Sequence, residues 1–256
     1  MRCAIIVLGM LSAARAAEPI AAWRFDAAHA KGNVFRAIAG ERDARVFGPV
    51  KFADDKPAAL LIDGDSKARR RIFVSEDLSF LPRKAITVEA FVQVDKSQEW
   101  GGIAGAFQDN GSYERGWLLG YNHRHFFFAV ATTGGKKLTY LNARAGFEPG
   151  AIYHVVGTYD GREMKLFIDG RQEAVSREQS GDIQYPPTGS LTLGAYHDDN
   201  EMYSLNGRLA EVSLFDAALS AEQLADRFKS RAREFPGILP EPPRITDWPM
   251  YLRDPR

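Results

Sequence analysis

Apolar and polar positions alternate along most of this chain. In residues 85–94, Ile86, Val88, Ala90, Val92 and Val94 fall on one side of an extended segment, and a period of two over ten residues predicts a long strand. Residues 152–159 and 164–168 form two further runs, joined by Asp160-Gly161, and Asp169-Gly170 leads into a short run at 172–175. Asp-Gly supplies the backbone conformations that tight hairpins need, so two in succession predict a three-stranded meander. Strands are also expected at 20–25, 58–62, 71–74, 126–131, 190–196 and 207–215. Stretches 97–102 and 108–116 read as turn-rich. Ten or more short strands without α/β alternation predict an all-β sandwich or barrel.

One short C-terminal helix interrupts the pattern. Ser220-Ala221-Glu222-Gln223 is a capping box, with Ser220 at the N-cap, Gln223 at N3, and Leu219 and Leu224 in the staple positions. Leu224 and Phe228 share a face four residues apart, enough to dock the helix by one stripe. It is expected to end near Arg231 to Arg233, where cations suit the carbonyl end.

The two ends differ from this body. Met1-Arg2, an apolar run through Leu11 and the small-residue site Ala14-Arg15-Ala16 have the layout of a secretory signal peptide, too short to span a bilayer. The expected organisation is a leader at 1–16, one domain at 17–234 and a proline-rich linker or tail at 235–256. The expected location is secreted or periplasmic, with no membrane insertion. The 33 basic and 33 acidic residues balance, and loss of Arg2 and Arg15 with the leader leaves a net charge of about −2. That balance argues against nucleic acid as a partner. The single cysteine, Cys3, lies in the leader, so the domain must hold together without disulfides.

Several segments, in order, carry a family resemblance. Ala22-Trp23-Arg24-Phe25-Asp26 resembles an opening "W-x-F-D" strand, and residues 59–64 resemble "A-L-x-F-D-G". Residues 86–92 are similar to "F-T-V-E-A-W-V", and 153–170 to "W-H-H-V-A-x-T-Y-D-G … L-Y-V-D-G". Leu193-Gly194, Asn206-Gly207-Arg208-Leu209, Glu211-Val212 and Ala218-Leu219-Ser220 resemble the closing "L-x-I-G … F-x-G-x-I-D-E-V" stretch and its "R-A-L-S" end. Over residues 20–232 the chain resembles the LamG-like jelly-roll domain of the concanavalin A-like lectin/glucanase superfamily. The resemblance implies an antiparallel β-sandwich of jelly-roll type. It also implies a non-catalytic module that binds carbohydrate or protein, often with calcium, and is appended to secreted enzymes. Fold does not dictate function, so each chemistry is weighed on its residues.

A glycosidase of this superfamily needs carboxylates at alternate strand positions, "E-x-D-x-x-E", so that two of them meet about 5 Å apart across one cleft. Glu89 and Asp95 are six residues apart, while Glu211 and Asp216 are five apart and point to opposite faces of a regular strand. Neither pair fits, so a binding module is expected and a glycoside hydrolase is the alternative. A second alternative is a structural spacer at the front of a larger protein. His123-x-His125 is expected to project both rings to one side of a strand, but it lacks a third zinc ligand and is read as a surface pair at a strand entry. Calcium takes hard oxygens, for which Asp26, Asp63, Asp65, Asp198 and Asp199 are candidates. Ala210 stands where the family often has Asp before Glu-Val, which weakens a family-type calcium site. Asp160 and Asp169 are read as turn formers. Sugar faces stack on aromatic rings, and the candidates are Trp100, Tyr113, Trp117, Tyr121, Tyr196 and Tyr203, with Trp23 and Trp117 equally suited to the core. The expected partner is a polysaccharide or an extracellular protein. The basic run 67–71 precedes a strand and is read as a solvated turn. Past the prolines, residues 247–256 (Asp247-Trp248-Pro249-Met250 onward) resemble the opening of a quinoprotein-like β-propeller.

Overall fold

The computed structural model describes residues 17–53, 58–64 and 69–235. The expected leader, Asp65 and the proline-rich exit after Phe235 lie outside the described residues.

Two antiparallel sheets face each other. The first has the order β15 (Arg171–Ser176), β14 (Met164–Ile168), β13 (Ile152–Tyr159), β8 (Ile86–Val94), β19 (Asn206–Phe215), β1 (Ala21–Arg24) and β4 (Ala37–Ala39), and β6 (Leu60–Asp63) also pairs with β19. The second runs β12 (Thr139–Asn142), β11 (His125–Val130), β10 (Tyr113–His123), β9 (Gln98–Asn110), β16 (Leu191–Leu193), β7 (Arg71–Ser75), β5 (Ala44–Phe47), β3 (Val34–Phe35) and β2 (Ala30–Lys31). A separate hairpin joins β17 (Ala195–His197) to β18 (Met202–Ser204). The fold is the expected antiparallel sandwich.

Alternation builds the core between the sheets. Ile86, Val88, Ala90, Val92 and Val94 of β8 all point inward and are buried with Trp23, Trp117, Leu119, Tyr121, Phe126 and Phe128. A fully buried aliphatic or phenyl side chain contributes roughly 1.5–3 kcal/mol, so this layer can stand in for absent disulfides. The two tryptophans keep their indole donors satisfied: Trp23 Nε1 donates to the Arg42 carbonyl at 2.8 Å, and Trp117 Nε1 to the Tyr185 hydroxyl at 3.0 Å. Gly157 interrupts β13 because a Cβ there would come within 2.3 Å of the Phe128 ring.

The second face of β8 is also buried, because the helix covers it. Helix α1 (Ala221–Ala232) begins at the expected capping box: Ser220 Oγ accepts from Gln223 N, and the Gln223 side chain accepts from Ser220 N at 2.8 Å. Leu224, Phe228 and Ala232 face the sheet. Glu89 is buried beneath, accepting from Arg227 Nε at 3.0 and 3.1 Å and from Arg227 Nη2 at 2.5 Å, and meeting His154 Nε2 at 2.8 Å. Burial alone would raise this carboxyl, yet the His154 and Arg227 contacts outweigh it and hold it down at about 2. Nearby, Glu211 takes Arg24 at 3.3 Å and also pairs with Arg231. The His154 ring lies between Phe91 and Phe228, with centroids 4.7 and 5.7 Å away. Phe235 stacks on Phe91 at 4.4 Å, so the packed domain takes in a residue expected to begin the linker. Ala17, at the other end, packs against Val156, Phe167, Phe215, Leu219 and Leu224 on this same side.

Three local expectations are corrected. The glycine-rich stretch from Gly101 is the middle of β9, not a turn. The strand expected at 190–196 breaks at Gly194, whose φ of +67° turns the chain into β17, and a Cβ there would strike Ile62. His123 has a φ of +47° and closes β10, while His125 opens β11, so the two flank a tight turn and do not share one strand.

Candidate functional site

The outer face of the second sheet carries the other half of the alternation. Trp100, Phe107 and Asp109 of β9, Leu118 of β10, Phe127 and Ala129 of β11 and Tyr140 of β12 turn away from the core, and the β17–β18 hairpin adds Tyr196 and Tyr203. Gly102 makes this arrangement possible. A Cβ at Gly102 would come within 2.0 Å of the Tyr196 backbone, so the hairpin can lie flat on β9 only over a glycine.

The rings form one contiguous group. Trp100 lies 6.0 Å from Phe127, 5.7 Å from Tyr140 and 6.0 Å from Tyr196, and Tyr196 in turn meets Phe107 at 4.7 Å and Tyr203 at 5.6 Å. Asp109 fixes two of them: its Oδ2 accepts from the Tyr140 hydroxyl at 2.5 Å and from the Tyr196 hydroxyl at 3.0 Å. Burial is the main reason both phenols stay far above their ordinary range, and the adjoining carboxylate adds to it. They remain protonated donors. Trp100, Tyr140 and Tyr203 are half-buried, so part of each reaches the surface.

The end of β9 joins this platform to a polar cleft of about 420 Å³, lined by Glu76, Gln108, Thr188, Ser190, His197 and Asp198 among others. Gln108 donates to the Thr188 carbonyl at 3.2 Å and accepts from Asn110, which also donates to Asp199 at 2.7 Å. Asp198 Oδ1 accepts from the amides of Asn200 and Glu201, at 3.2 and 2.7 Å, and its Oδ2 accepts from the Asp109 amide at 3.4 Å. Burial raises the Asp198 carboxyl in spite of those amides. Burial, followed by the charges of Arg71 and Arg69, pushes the His197 imidazole down to about 4, so it is neutral at physiological pH.

The expected site residues therefore divide. Trp100, Tyr196 and Tyr203 come together, although Tyr196 is nearly enclosed. Trp117 and Tyr121 point inward from β10 and are fully buried, so they offer no ring to a ligand. Tyr121 is held inward by Gly101, where a Cβ would lie 2.2 Å from its ring. Tyr113 is exposed at the far end of β10 beside Arg115, outside the cluster. Asp109, Gln108 and Tyr140 were not anticipated. Trp100 and Asp109 are nine residues apart, so a regular strand would turn them to opposite faces; a register shift in β9 opposite Leu119 and Gly120 brings both outward, and no local pattern announces it.

The calcium candidates do not assemble. Asp26 accepts from His29 N at 3.0 Å and contacts its Nδ1 at 2.7 Å, while Asp63 pairs with Arg70. Asp198 spends its oxygens on backbone amides, and Asp199 takes Asn110. Among the described residues no group of three or more His, Cys, Asp or Glu side chains is placed to hold a metal. The described candidates, Asp26, Asp63, Asp198 and Asp199, do not make up the six to eight oxygens a calcium ion takes.

Comparison with known proteins agrees with the fold. Residues 68–225 match the Laminin_G_3 family model of the concanavalin A-like lectin/glucanases superfamily, and the chain belongs to that family. It is 28% identical over 167 residues to mouse pappalysin-1 and 27% identical over 195 residues to human pappalysin-1, covering 61% and 72% of this chain. It spans only about a tenth of the length of those relatives, 10% and 12%. Among solved structures it is similar to domain 4 of AbnA, an extracellular GH43 arabinanase of Geobacillus stearothermophilus, in complex with arabinotriose. That match has a TM-score of 0.59 at 16% identity, over 82% of this chain and 98% of the other. It is also similar to the binding domain of botulinum neurotoxin DC in complex with SialylT, with a TM-score of 0.60 at 14% identity, over 83% and 51%. No helix among the described residues is long and apolar enough to cross a membrane.

Proposed function

We propose that this chain is an exported, non-catalytic module that binds a polysaccharide across the outer face of its second sheet. One observation carries the reading: the partly exposed rings of Trp100, Tyr140 and Tyr203 are joined through Tyr196 into one platform, and Asp109 and Asp198 link it to a neighbouring cleft of polar groups. A sugar ring presents apolar CH patches and a rim of hydroxyls, and such a surface answers both. Rings already fixed by Asp109 and by each other lose little freedom on binding, which favours affinity. The similarity to an arabinanase domain solved with arabinotriose supports a sugar ligand. The leader-like segment at 1–16 supports export.

Hydrolysis is disfavoured by how the carboxylates are used. Asp109 is engaged by two phenols and Asp198 by three amides, so neither is free to serve as acid or nucleophile. The test is a glycan array probed with the full chain and with Trp100→Ala, alongside a reducing-end assay on any glycan that binds. Binding by the wild type, lost in Trp100→Ala, with no reducing ends released, is expected. A silent array would leave the spacer reading in its place, and release of reducing ends would establish a glycosidase.

A further inference from the structure

The basic run at 67–71 is not wholly a turn. Arg71 is the first residue of β7, and its side chain is half-buried on the outer face of the second sheet. Its guanidinium lies over the Phe47 ring at 4.6 Å, with Nη1 4.0 Å from the Met202 sulfur. Arg70, its neighbour, is paired with Asp63. Arg71 has no such partner: among the described residues no carboxylate lies within 4.0 Å of it, and its Nε is buried without an acceptor. Burial and the charge of Arg69 both lower its pKa, which says that the cation is held against solvation and against a like charge. An unpaired, half-buried guanidinium is costly unless something else completes it.

The surroundings have the shape of a recognition corner. Phe47 is 42% exposed and meets Phe73 edge-on at 6.3 Å, so the guanidinium plane rests on an aromatic shelf open on one side. Arg45 stands opposite Phe73 on the neighbouring strand. From the hairpin, His197 feels both Arg71 and Arg69 and lines the polar cleft of the proposed sugar site. Glu76, Asp198 and Asp199 line that same cleft, and none of them ion-pairs with Arg71.

We infer that Arg71, stacked on Phe47 and backed by Arg69, binds the anionic substituent of the saccharide, a carboxylate or a sulfate ester, at the edge of the cleft. The inference rests on the carbohydrate reading and narrows it to acidic glycans. Planarity suits the task, since a guanidinium fork meets a carboxylate or sulfate with two parallel hydrogen bonds. A bound anion would also offset the cationic field at His197, so its imidazole would titrate at higher pH.

The experiment uses the full chain in titration calorimetry with oligogalacturonate, dextran sulfate, and neutral dextran and arabinan. Wild type and Arg71→Gln are compared, with circular dichroism to check folding. Arg71→Lys keeps the charge without the fork and serves as a second variant. The expected result is at least tenfold tighter binding of an acidic glycan than of the neutral ones. That advantage should be lost in Arg71→Gln and only partly kept in Arg71→Lys, with a rise in the NMR-measured pKa of His197 on saturation. Whichever of oligogalacturonate and dextran sulfate binds identifies the anion. Equal binding of neutral and acidic glycans, unchanged in Arg71→Gln, would overturn the inference and leave the carbohydrate reading intact. Polyglutamate binding as tightly as the acidic glycans would also overturn it, by showing attraction to charge alone. If no glycan binds, the carbohydrate reading itself fails, and this inference fails with it.

Discussion

The outer faces of the two sheets begin from the same strand alternation and end in opposite conditions. On the first sheet, the outward residues of β8 and β13 are Glu89, Phe91 and His154, and helix α1 closes over them with Arg227, Phe228 and Arg231. Glu89 and Glu211 there each have an arginine within the fold. On the second sheet the outward residues include Trp100, Asp109 and Tyr140, covered only in part by a short hairpin, and Arg71 has no carboxylate partner among the described residues. The first face spends its polar groups on holding the helix. The second keeps rings and charge where a ligand can reach them, which is the more reliable mark of a binding surface than aromatic content alone.

That contrast can be broken most directly at Arg227. Arg227→Met strips Glu89 of its cation in a buried site and should cost about 3 kcal/mol, read as a lower midpoint in urea. Glycan binding at the opposite face should be unchanged while the variant is folded. A loss below about 1 kcal/mol would mean the helix is held by apolar contacts alone. On the open face, Trp100→Ala should show the reverse profile. Its half-buried ring should cost about 1–2 kcal/mol, less than the 3–5 typical of a core tryptophan, yet glycan affinity should fall at least tenfold.

Acidity sharpens the closed face further. Burial raises the Asp169 carboxyl from 3.8 to about 6, against the opposing pull of the His154 amide. Its folded form therefore holds a proton that the unfolded chain has released, and its contribution to stability should rise as pH falls from about 6 toward 3.8. Glu89 acts in the other sense: depressed from 4.5 to about 2, it stabilises above 4.5 and loses that contribution as pH falls toward 2. His197, lowered from 6.5 to about 4, costs stability over the same window, so the Asp169 gain is read as a difference: the urea midpoint of wild type relative to Asp169→Asn should rise as pH falls from about 6 toward 3.8. The smallest effect is expected from calcium. Because Asp198 is committed to amides, millimolar calcium should move the Tm of the full chain by no more than about 1 °C, and a larger rise would show that the loop rearranges around an ion.

Much of this was legible in the residues. Residues 152–159 and 164–168 match β13 and β14, and Ser220 with Gln223 caps α1 as its sequence indicates, because these signals are local. What escaped depends on contacts far apart in the chain. Gly101, Gly102 and Gly105 are strand residues because Tyr121, the hairpin backbone and Phe107 crowd against them, and no local rule separates that from a turn. Misreading them placed Trp100 on a loop and hid Asp109. Trp117 suits either role, and Tyr121, read as a ligand contact, shares its face, since a strand's parity fixes which residues share a face without saying which face is inward.

The two chain ends of the sandwich also bear on how it can be used. Ala17 settles beside Leu219 and Leu224, and Phe235 lies flat on Phe91, so the polypeptide enters and leaves on the helix side. A domain plumbed in this way can be spliced between neighbours, or fused to a reporter at either terminus, with the side proposed to bind sugar turned away from the joints.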